Sequence, residues 1–421
     1  MIRAYIIGMI LSCCCTAVIA QDTLHISLPD AEKRFLDSNL SLLAERYNID
    51  IAKAAVIQAR LYNNPTLGIN ADLYNPKDKK VFDVSNSTGQ YELSIQQVIN
   101  LAGRRNKEVK LAQAAVSMSE DHFFDLLRTL RYTLRSDFYK AGFLWNSIVN
   151  SKAQLVSIEK LSEAYDILLP KGDVSLKDVV RIRSLLYSLR ADQASLINDF
   201  NDTEAELQLL LQDNKTSFIP RMDEDIARSV SWKEPNIQSL MDTAYANRWD
   251  LKNAQHELLY NQRDYSLQKA LAKPELTLGA DYDKRGSFVD NASFLTVAID
   301  LPFFKRNQGN IKAAKFSIEQ SKTQVDLAQR TVENEVMSAY VKLNNADKAL
   351  RSIDPAFQGQ FEKLLQGITD NFQRKNLSLV EFADFNESYR NNTVQFNELQ
   401  NQKMQAIESL HFAIGKTIFN N

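Results

Sequence analysis

The stretches PTLGINAD at residues 65–72 and PELTLGAD at residues 274–281 are two versions of one pattern. In each, a proline precedes alternating apolar and polar residues, which predicts a β-strand with one apolar face. A polar loop and a second alternating stretch follow each of them. The sequence therefore predicts two pairs of strands, which cover residues of about 65–74, 90–98, 274–283 and 293–302.

The strand pairs belong to a longer internal repeat. Residues 27–74 align with residues 236–283 without a gap, and both segments begin with a residue type that favours a helix N-cap, Ser27 and Asn236. The periodicity lapses in the segment between the two copies, which contains two prolines. The predicted division of the chain is a first repeat at residues 21–212, a linker at 213–235 and a second repeat at 236–421.

Long helices flank the predicted strands. From Arg104 to about Leu168 no proline interrupts the chain. A helix of that length, about 65 residues, would be about 100 Å long. Apolar residues recur within it at the seven-residue spacing of a coiled-coil seam, at Leu127, Leu134, Ala141, Ile148 and Leu155. We therefore predict a mainly α-helical fold with a smaller β part.

The N-terminal residues are typical of a secretory signal. Arg3 supplies a positive charge, an apolar run follows, and Val-Ile-Ala at 18–20 provides small residues before a cut. Residues 1–20 are thus a predicted signal peptide. The three cysteines, residues 13–15, all lie in it. An alternative reading makes Cys13 a lipidated residue that is retained after processing.

Composition excludes two further classes of protein. The chain has 421 residues, of which 44% are hydrophobic, and a formal net charge of −2. Global disorder is therefore not expected, and the near-neutral charge is unlike that of a nucleic-acid binder.

After the signal segment no apolar run reaches the ~20 residues of a membrane-spanning helix. If this chain crosses a bilayer, we expect it to do so with strands.

Four strands cannot close a barrel in a membrane, because the open sheet edges would leave backbone groups unpaired in lipid. Two chains would supply eight strands, whose interior is filled by side chains, and three would supply twelve, enough to enclose a pore. The smallest assembly that forms a conduit is therefore a trimer.

The stretches that follow the second and fourth strands carry a family resemblance. They read LAGRR at residues 101–105 and DLPFFKRNQGN at residues 300–310. Together with the repeat and the signal segment, they resemble the TolC family of outer-membrane efflux proteins, and the second stretch is most similar to the heavy-metal efflux branch. One departure is Val98, where many relatives carry proline.

The resemblance implies a passive channel. Three copies would form a twelve-stranded barrel in the outer membrane and a long helical tunnel in the periplasm, with residues 213–235 in an equatorial layer around it. The implied partners are a periplasmic adaptor protein and an inner-membrane pump of the resistance-nodulation-division (RND) type. The implied cargo is metal cations or small toxic compounds, and the sequence does not choose between them or exclude polypeptides.

Two turns between long helices are candidate functional sites. KGDVSLKDV at residues 171–179 and KNLSLVEF at residues 375–382 each place a serine three residues ahead of an acidic residue, which resembles a capping box. Helix capping alone would explain both. The resemblance implies that these tips meet the adaptor, with Gly172, Val174, Ser175, Leu377 and Ser378 as the contact residues.

Acidic residues near the tips are candidates for the aperture of the channel. Glu381 and Asp384 are three residues apart and share a helix face. The resemblance places them, with Asp178, at the periplasmic opening, where a threefold axis would turn them into an acidic constriction that favours cations. The alternative is that they are ordinary solvated charges.

The sequence offers no residues for an enzyme. None of the four histidines, His25, His122, His256 and His411, has a partner at metal-binding spacing, and no phosphate loop or nucleophile elbow is present. We therefore expect no catalytic site, no cofactor and no bound metal. The competing interpretation from another class is a periplasmic coiled-coil scaffold whose strands form a soluble sheet.

Overall fold

The computed structural model describes residues 22–223, 225–285, 289–354, 356–374 and 376–418. The predicted signal segment and the alternative lipidation residue, Cys13, lie outside these ranges. Helices dominate the described part of the chain. They are α1 (Leu28–Ser38), α2 (Leu40–Arg60), α3 (Arg104–Leu168), α4 (Leu176–Leu211), α5 (Ile226–Ser229), α6 (Ile237–Asn247), α7 (Trp249–Leu271), α8 (Gln308–Arg351), α9 (Phe357–Gln373) and α10 (Leu379–Ile414).

The longest helix, α3, occupies the whole proline-free segment, as predicted. Three residues of its predicted seam, Leu134, Ala141 and Ile148, are buried. The helix ends where Pro170 enters a short 3-10 turn and Gly172 adopts a left-handed backbone conformation, with φ of 76°. Glycine reaches that conformation without the steric penalty that a side chain brings, so the chain can reverse direction there.

The strands form three small sheets. They are β1 (Asp22–Ile26), β2 (Thr66–Ala71), β3 (Tyr74–Asn75), β4 (Lys80–Val81), β5 (Tyr91–Ile99), β6 (Thr216–Pro220), β7 (Leu276–Arg285) and β8 (Asp290–Ile299). The largest sheet has the order β2-β5-β7-β8, with every pair antiparallel. It joins the strand pairs of both predicted repeats, because β5 of the first pairs with β7 of the second.

The chain divides into two compact units, each of which draws on both predicted repeats. One contains the described parts of Met1–Leu40, Arg128–Ile237 and Met337–Asn421. The other contains Ser41–Leu127 and the described part of Gln238–Val336. The first holds the candidate tips and the second holds the four-stranded sheet.

The segment predicted as a linker contains a strand with a buried core. Strand β6 pairs in parallel with β1, and Phe218 at its centre is fully buried. The backbone N–H of Phe218 donates to the Glu204 carboxylate at 2.9 Å, so this buried donor is satisfied. The assignment of residues 213–235 to an equatorial layer stays a prediction.

In the ranges that the structure describes, no helix combines the length and the apolar character needed to cross a bilayer.

Candidate functional site

One face of the four-stranded sheet is apolar and exposed. The strand register aligns Leu67, Ile95, Ala280 and Leu295 in one row across all four strands. Leu67 is 68% exposed and Leu295 is 79% exposed. Neighbouring rows on the same face add Ile69, Leu93, Leu278, Val297 and Ile299, all exposed. A contiguous apolar surface of this kind marks a site of contact with a partner or a membrane.

The opposite face of the sheet is mostly polar. The Asn70 side-chain amide donates to the Glu92 carboxylate across the β2-β5 pair at 3.1 Å, and the Thr296 hydroxyl donates to Asp281 across the β7-β8 pair. Gly68 lies on this face close to Ser94, and because a Cβ there would stand 2.5 Å from the Ser94 hydroxyl oxygen, that hydroxyl would have to move to admit a side chain. The sheet therefore has one face suited to an apolar medium and one suited to water.

The first tip joins α3 to α4 and contains the predicted serine cap. The Ser175 hydroxyl oxygen accepts from the backbone N–H of Asp178 at 3.1 Å, and the hydroxyl donates to the Asp178 carboxylate at 2.7 Å. Val174 is half-buried, and Gly172 is exposed at the turn. Asp178 is thus engaged with its own helix cap.

The second tip joins α9 to α10 and contains a complete capping box. The Ser378 hydroxyl oxygen accepts from the backbone N–H of Glu381 at 3.3 Å, and the Glu381 carboxylate accepts from the backbone N–H of Ser378 at 3.0 Å. The Ser378 hydroxyl also donates to that carboxylate at 2.6 Å. Hydrogen bonds from the Ser378 side chain and backbone lower the pKa of Glu381.

An aromatic and aliphatic core lies beneath the two tips. Its buried residues come from α3, α4, α9 and α10, and Leu377 packs against them. The rings of Phe372 and Phe382 stack with their centroids 4.3 Å apart. The buried members are Ile158, Ile182, Leu186, Leu189, Phe372, Leu379 and Phe382. The tips are therefore the exposed ends of a packed four-helix cluster.

The predicted aperture residues fall on two helices. Glu381 and Asp384 are both exposed in the first turns of α10, and Asp178 is half-buried in the first turn of α4. Glu381 and Asp178 each bond to the capping serine of their own tip, whereas Asp384 has no capping role. The aperture role of all three stays a prediction.

Two polar pairs were missed by sequence reasoning. Arg390 on α10 contacts Asp192 on α4, and the His256 imidazole on α7 contacts the carboxylate of Asp121 on α3. Asp121 is buried, which raises its pKa, while the histidine contact acts in the opposite direction. The partners are far apart in sequence, so no local spacing could have revealed them.

The histidine contacts do not amount to a metal centre. His256 has the carboxylate of Asp121 beside it, and His411 has that of Glu408 at 3.3 Å. Within the described residues, no group of three or more potential ligands from His, Cys, Asp and Glu could hold a metal ion. Tetrahedral or octahedral coordination needs more ligands than one pair supplies.

Comparisons with known proteins agree with this geometry. Residues 240–416 match the family model described as outer membrane efflux protein. The chain is 29% identical to outer membrane protein TolC of Escherichia coli over 227 residues, which are 50% of this chain and 44% of that protein. It is 18% identical to cobalt-zinc-cadmium resistance protein CzcC of Cupriavidus metallidurans over 90% of this chain and 87% of that protein.

A solved structure extends the likeness to the whole fold. The outer membrane channel CmeC of Campylobacter jejuni superposes with a TM-score of 0.75 at 12% identity, covering 93% of this chain and 87% of that one. Long helices with a two-faced, four-stranded sheet are thus the fold that this chain shares with that channel. This confirms the mainly helical TolC-like fold predicted from the sequence. The matched family model and the two relatives support the resemblance to the TolC family of outer-membrane efflux proteins and agree with the predicted outer-membrane location.

Proposed function

We propose that this chain is one subunit of a passive channel in the outer membrane and that it forms the outer component of a tripartite efflux system. The observation that carries the proposal is the four-stranded sheet. Its apolar face suits lipid and its polar face suits a water-filled lumen. The TolC-like arrangement of helices supports the same conclusion.

The sheet also supports a trimer. Strands β2 and β8 are its edges, and each has one neighbour in the described sheet. In lipid an unpaired edge leaves backbone donors and acceptors unsatisfied, which costs several kcal/mol per group. Pairing of β8 with β2 of a second copy, repeated three times, satisfies both edges and closes the predicted twelve-stranded barrel.

We assign the two serine-capped tips to contact with a periplasmic adaptor protein. Gly172, Val174 and Ser175 form one tip, and Leu377 and Ser378 form the other. A tip supported by a packed core can present these residues in a fixed geometry. An inner-membrane pump of the RND type would then supply energy and cargo.

The proposed cargo is metal cations or small toxic compounds. The likeness to a cobalt-zinc-cadmium resistance protein supports the metal branch. The exposed carboxylates Glu381 and Asp384, with Asp178, would form an acidic constriction in a trimer and would favour cations. A wide aqueous lumen does not need a set of metal ligands, which fits the absence of a ligand cluster from the described residues.

The experiment that tests the channel is extraction followed by reconstitution. We expect the protein in the outer-membrane fraction, soluble only in detergent, with the mass of three chains and with stepwise conductance in planar bilayers. A monomer in the soluble periplasm without conductance would instead support the coiled-coil scaffold and would end the channel proposal.

A further inference from the structure

A basic cavity lies in the unit that contains the tips, and nothing in the proposed channel mechanism uses it. We define the basic cavity by Arg228, Ser231, Arg351 and Lys403, which line a space of about 330 Å³ together with apolar side chains. Arg228 comes from α5, Ser231 from the loop after it, Arg351 from the end of α8, and Lys403 from α10. Three helices thus bring three cationic side chains to one place.

Two of the three cations share a single carboxylate. The Lys403 ammonium is 2.9 Å from one oxygen of Asp347, and the Arg351 guanidinium is 2.7 Å from the other. Both also donate to loop carbonyls, Lys403 to Val230 at 2.9 Å and Arg351 to Trp232 at 2.7 Å. Asp347 and Lys403 are buried, so water does little to screen the attraction between them, whereas Arg351 is exposed.

Arg228 forms no ion pair with any residue that the structure describes. Its guanidinium lies over the ring of Phe396, 5.1 Å from the centroid. Its Nη2 atom is buried and has no hydrogen-bond partner among the described residues. A buried N–H donor without an acceptor is unfavourable, and each such group calls for an explanation. Among the described residues, the cavity therefore has three cations in its lining, one carboxylate paired with two of them, and a donor without an acceptor.

The charge balance and the donor geometry favour an oxyanion of charge −2. Three cations and one carboxylate leave two positive charges uncompensated. This excess charge repels metal cations, and a monoanion would neutralise only half of it. The guanidinium fork matches the oxygens of phosphate and can bind two of them at once. Exposed Ser231 adds a hydroxyl at the rim.

We propose that the basic cavity binds a phosphate-type dianion, with Arg228 as its principal donor. The ligand is either free inorganic phosphate or the phosphate group of a larger molecule. Because the bound group would contact α5, α8 and α10 together, it would tie these segments to one another. Binding would therefore stabilise the folded unit in proportion to the ligand concentration.

The test uses the full chain in detergent, titrated with inorganic phosphate at constant ionic strength set by chloride. We expect saturable binding with one phosphate per chain in calorimetry, and a rise in the thermal unfolding midpoint with phosphate. Arg228→Gln should weaken the affinity about tenfold or more, since it removes a charge-assisted bidentate contact. The matched control is Lys233→Gln, which removes the same charge from an exposed position in the same segment.

A second pair of variants keeps the test decisive if Arg228→Gln folds poorly. Ser231→Glu places a carboxylate at the rim, so it should abolish phosphate binding and raise the unfolding midpoint in phosphate-free buffer, whereas Ser231→Gln should do neither. If glycerol 3-phosphate binds more tightly than inorganic phosphate, the ligand is the phosphate group of a larger molecule. Absence of saturable binding by both compounds, or binding that survives both Arg228→Gln and Ser231→Glu, would overturn the proposal.

Discussion

Arg390 on α10 forms an ion pair with Asp192 on α4, with 2.6 Å between Nη1 and Oδ2. The same nitrogen donates to the Ser188 hydroxyl at 3.2 Å. The pair borders a cavity of about 350 Å³ between α3, α4 and α10. It therefore connects the helix that follows the first tip to the helix that follows the second.

Arg390→Gln should loosen α10 from α4. In the proposed channel the expected result is a larger single-channel conductance, measured in planar bilayers. The effect on the free energy of unfolding should not exceed about 1 kcal/mol, because both partners of the pair are partly exposed to solvent.

The matched control is Arg183→Gln. Arg183 pairs with Asp166 at 2.9 Å, which joins α4 to α3 and leaves α10 untouched. Conductance should stay at the wild-type value in this variant. Equal conductance of wild type, Arg183→Gln and Arg390→Gln would contradict the idea that the Arg390 pair restrains the opening.

Ser378→Ala should destabilise the second tip by about 1 kcal/mol, since alanine cannot accept the backbone N–H of Glu381. Hydrogen exchange at the first turn of α10 reports the loss directly. Ser388→Ala lies in the same helix without a capping role and should leave exchange unchanged. Equal protection in the two variants would show that the capping box does not hold the tip.

The capping box should also depend on pH. The folded-state pKa of Glu381 is lowered, so its contribution to stability is complete above the ordinary glutamate pKa of about 4.3 and is lost as the pH falls through the lower folded value. Protection factors at residues 379–381 should therefore match at pH 7 and pH 6 and should fall only in acid. Glu381→Gln should remove this dependence, and an unchanged acid response in that variant would assign it to another group.

Substitutions at two adjacent residues can distinguish the two faces of the sheet. Leu295 is on the apolar face and Thr296 is on the polar face. Leu295→Lys should impair assembly in the outer membrane, because a lysine that faces lipid costs about 2–4 kcal/mol near the bilayer centre. Thr296→Lys should be tolerated, since its side chain would face water and Asp281. Quantification of trimer in outer-membrane fractions distinguishes them, and the reverse order would mean that the faces are assigned wrongly.

Neutralising the proposed aperture should change ion selectivity. The double variant Glu381→Gln with Asp384→Asn removes two charges per chain and should shift the reversal potential in a salt gradient toward lower cation selectivity. Glu398→Gln removes an exposed charge further along α10 and should have no such effect. Unchanged selectivity in the double variant would leave Glu381 with its capping role alone.

The sequence predicts those features of the fold that depend on local spacing. Alternation in residues 65–72 and 274–281 predicts which side chains share a face, and the seven-residue spacing predicts α3. The ends of strands depend on pairing instead. Strand β8 begins at Asp290 because Asp290 pairs with Arg285 across the hairpin, which alternation does not encode.

In the candidate site, too, the sequence predicts the features that depend on local spacing. The sequence predicts Ser175 and Ser378 as helix caps because a capping box is a pattern within four consecutive residues. The partners of Arg390 and His256 are determined by packing between helices that are far apart in the chain. A single sequence contains no periodic signal for such contacts, so only the folded chain reveals them.

The open edges of β2 and β8 have a consequence for biogenesis. In the proposed trimer, a protomer on its way to the outer membrane would carry two strand edges that each have one neighbour in the described sheet, beside an exposed apolar face, and this combination promotes aggregation. Because three protomers would have to meet before both edges were paired, assembly would depend steeply on local concentration, while misassociation would need only two. Escort by a holding chaperone and rapid delivery to the membrane would thus determine the yield of channels more than the stability of the helices does.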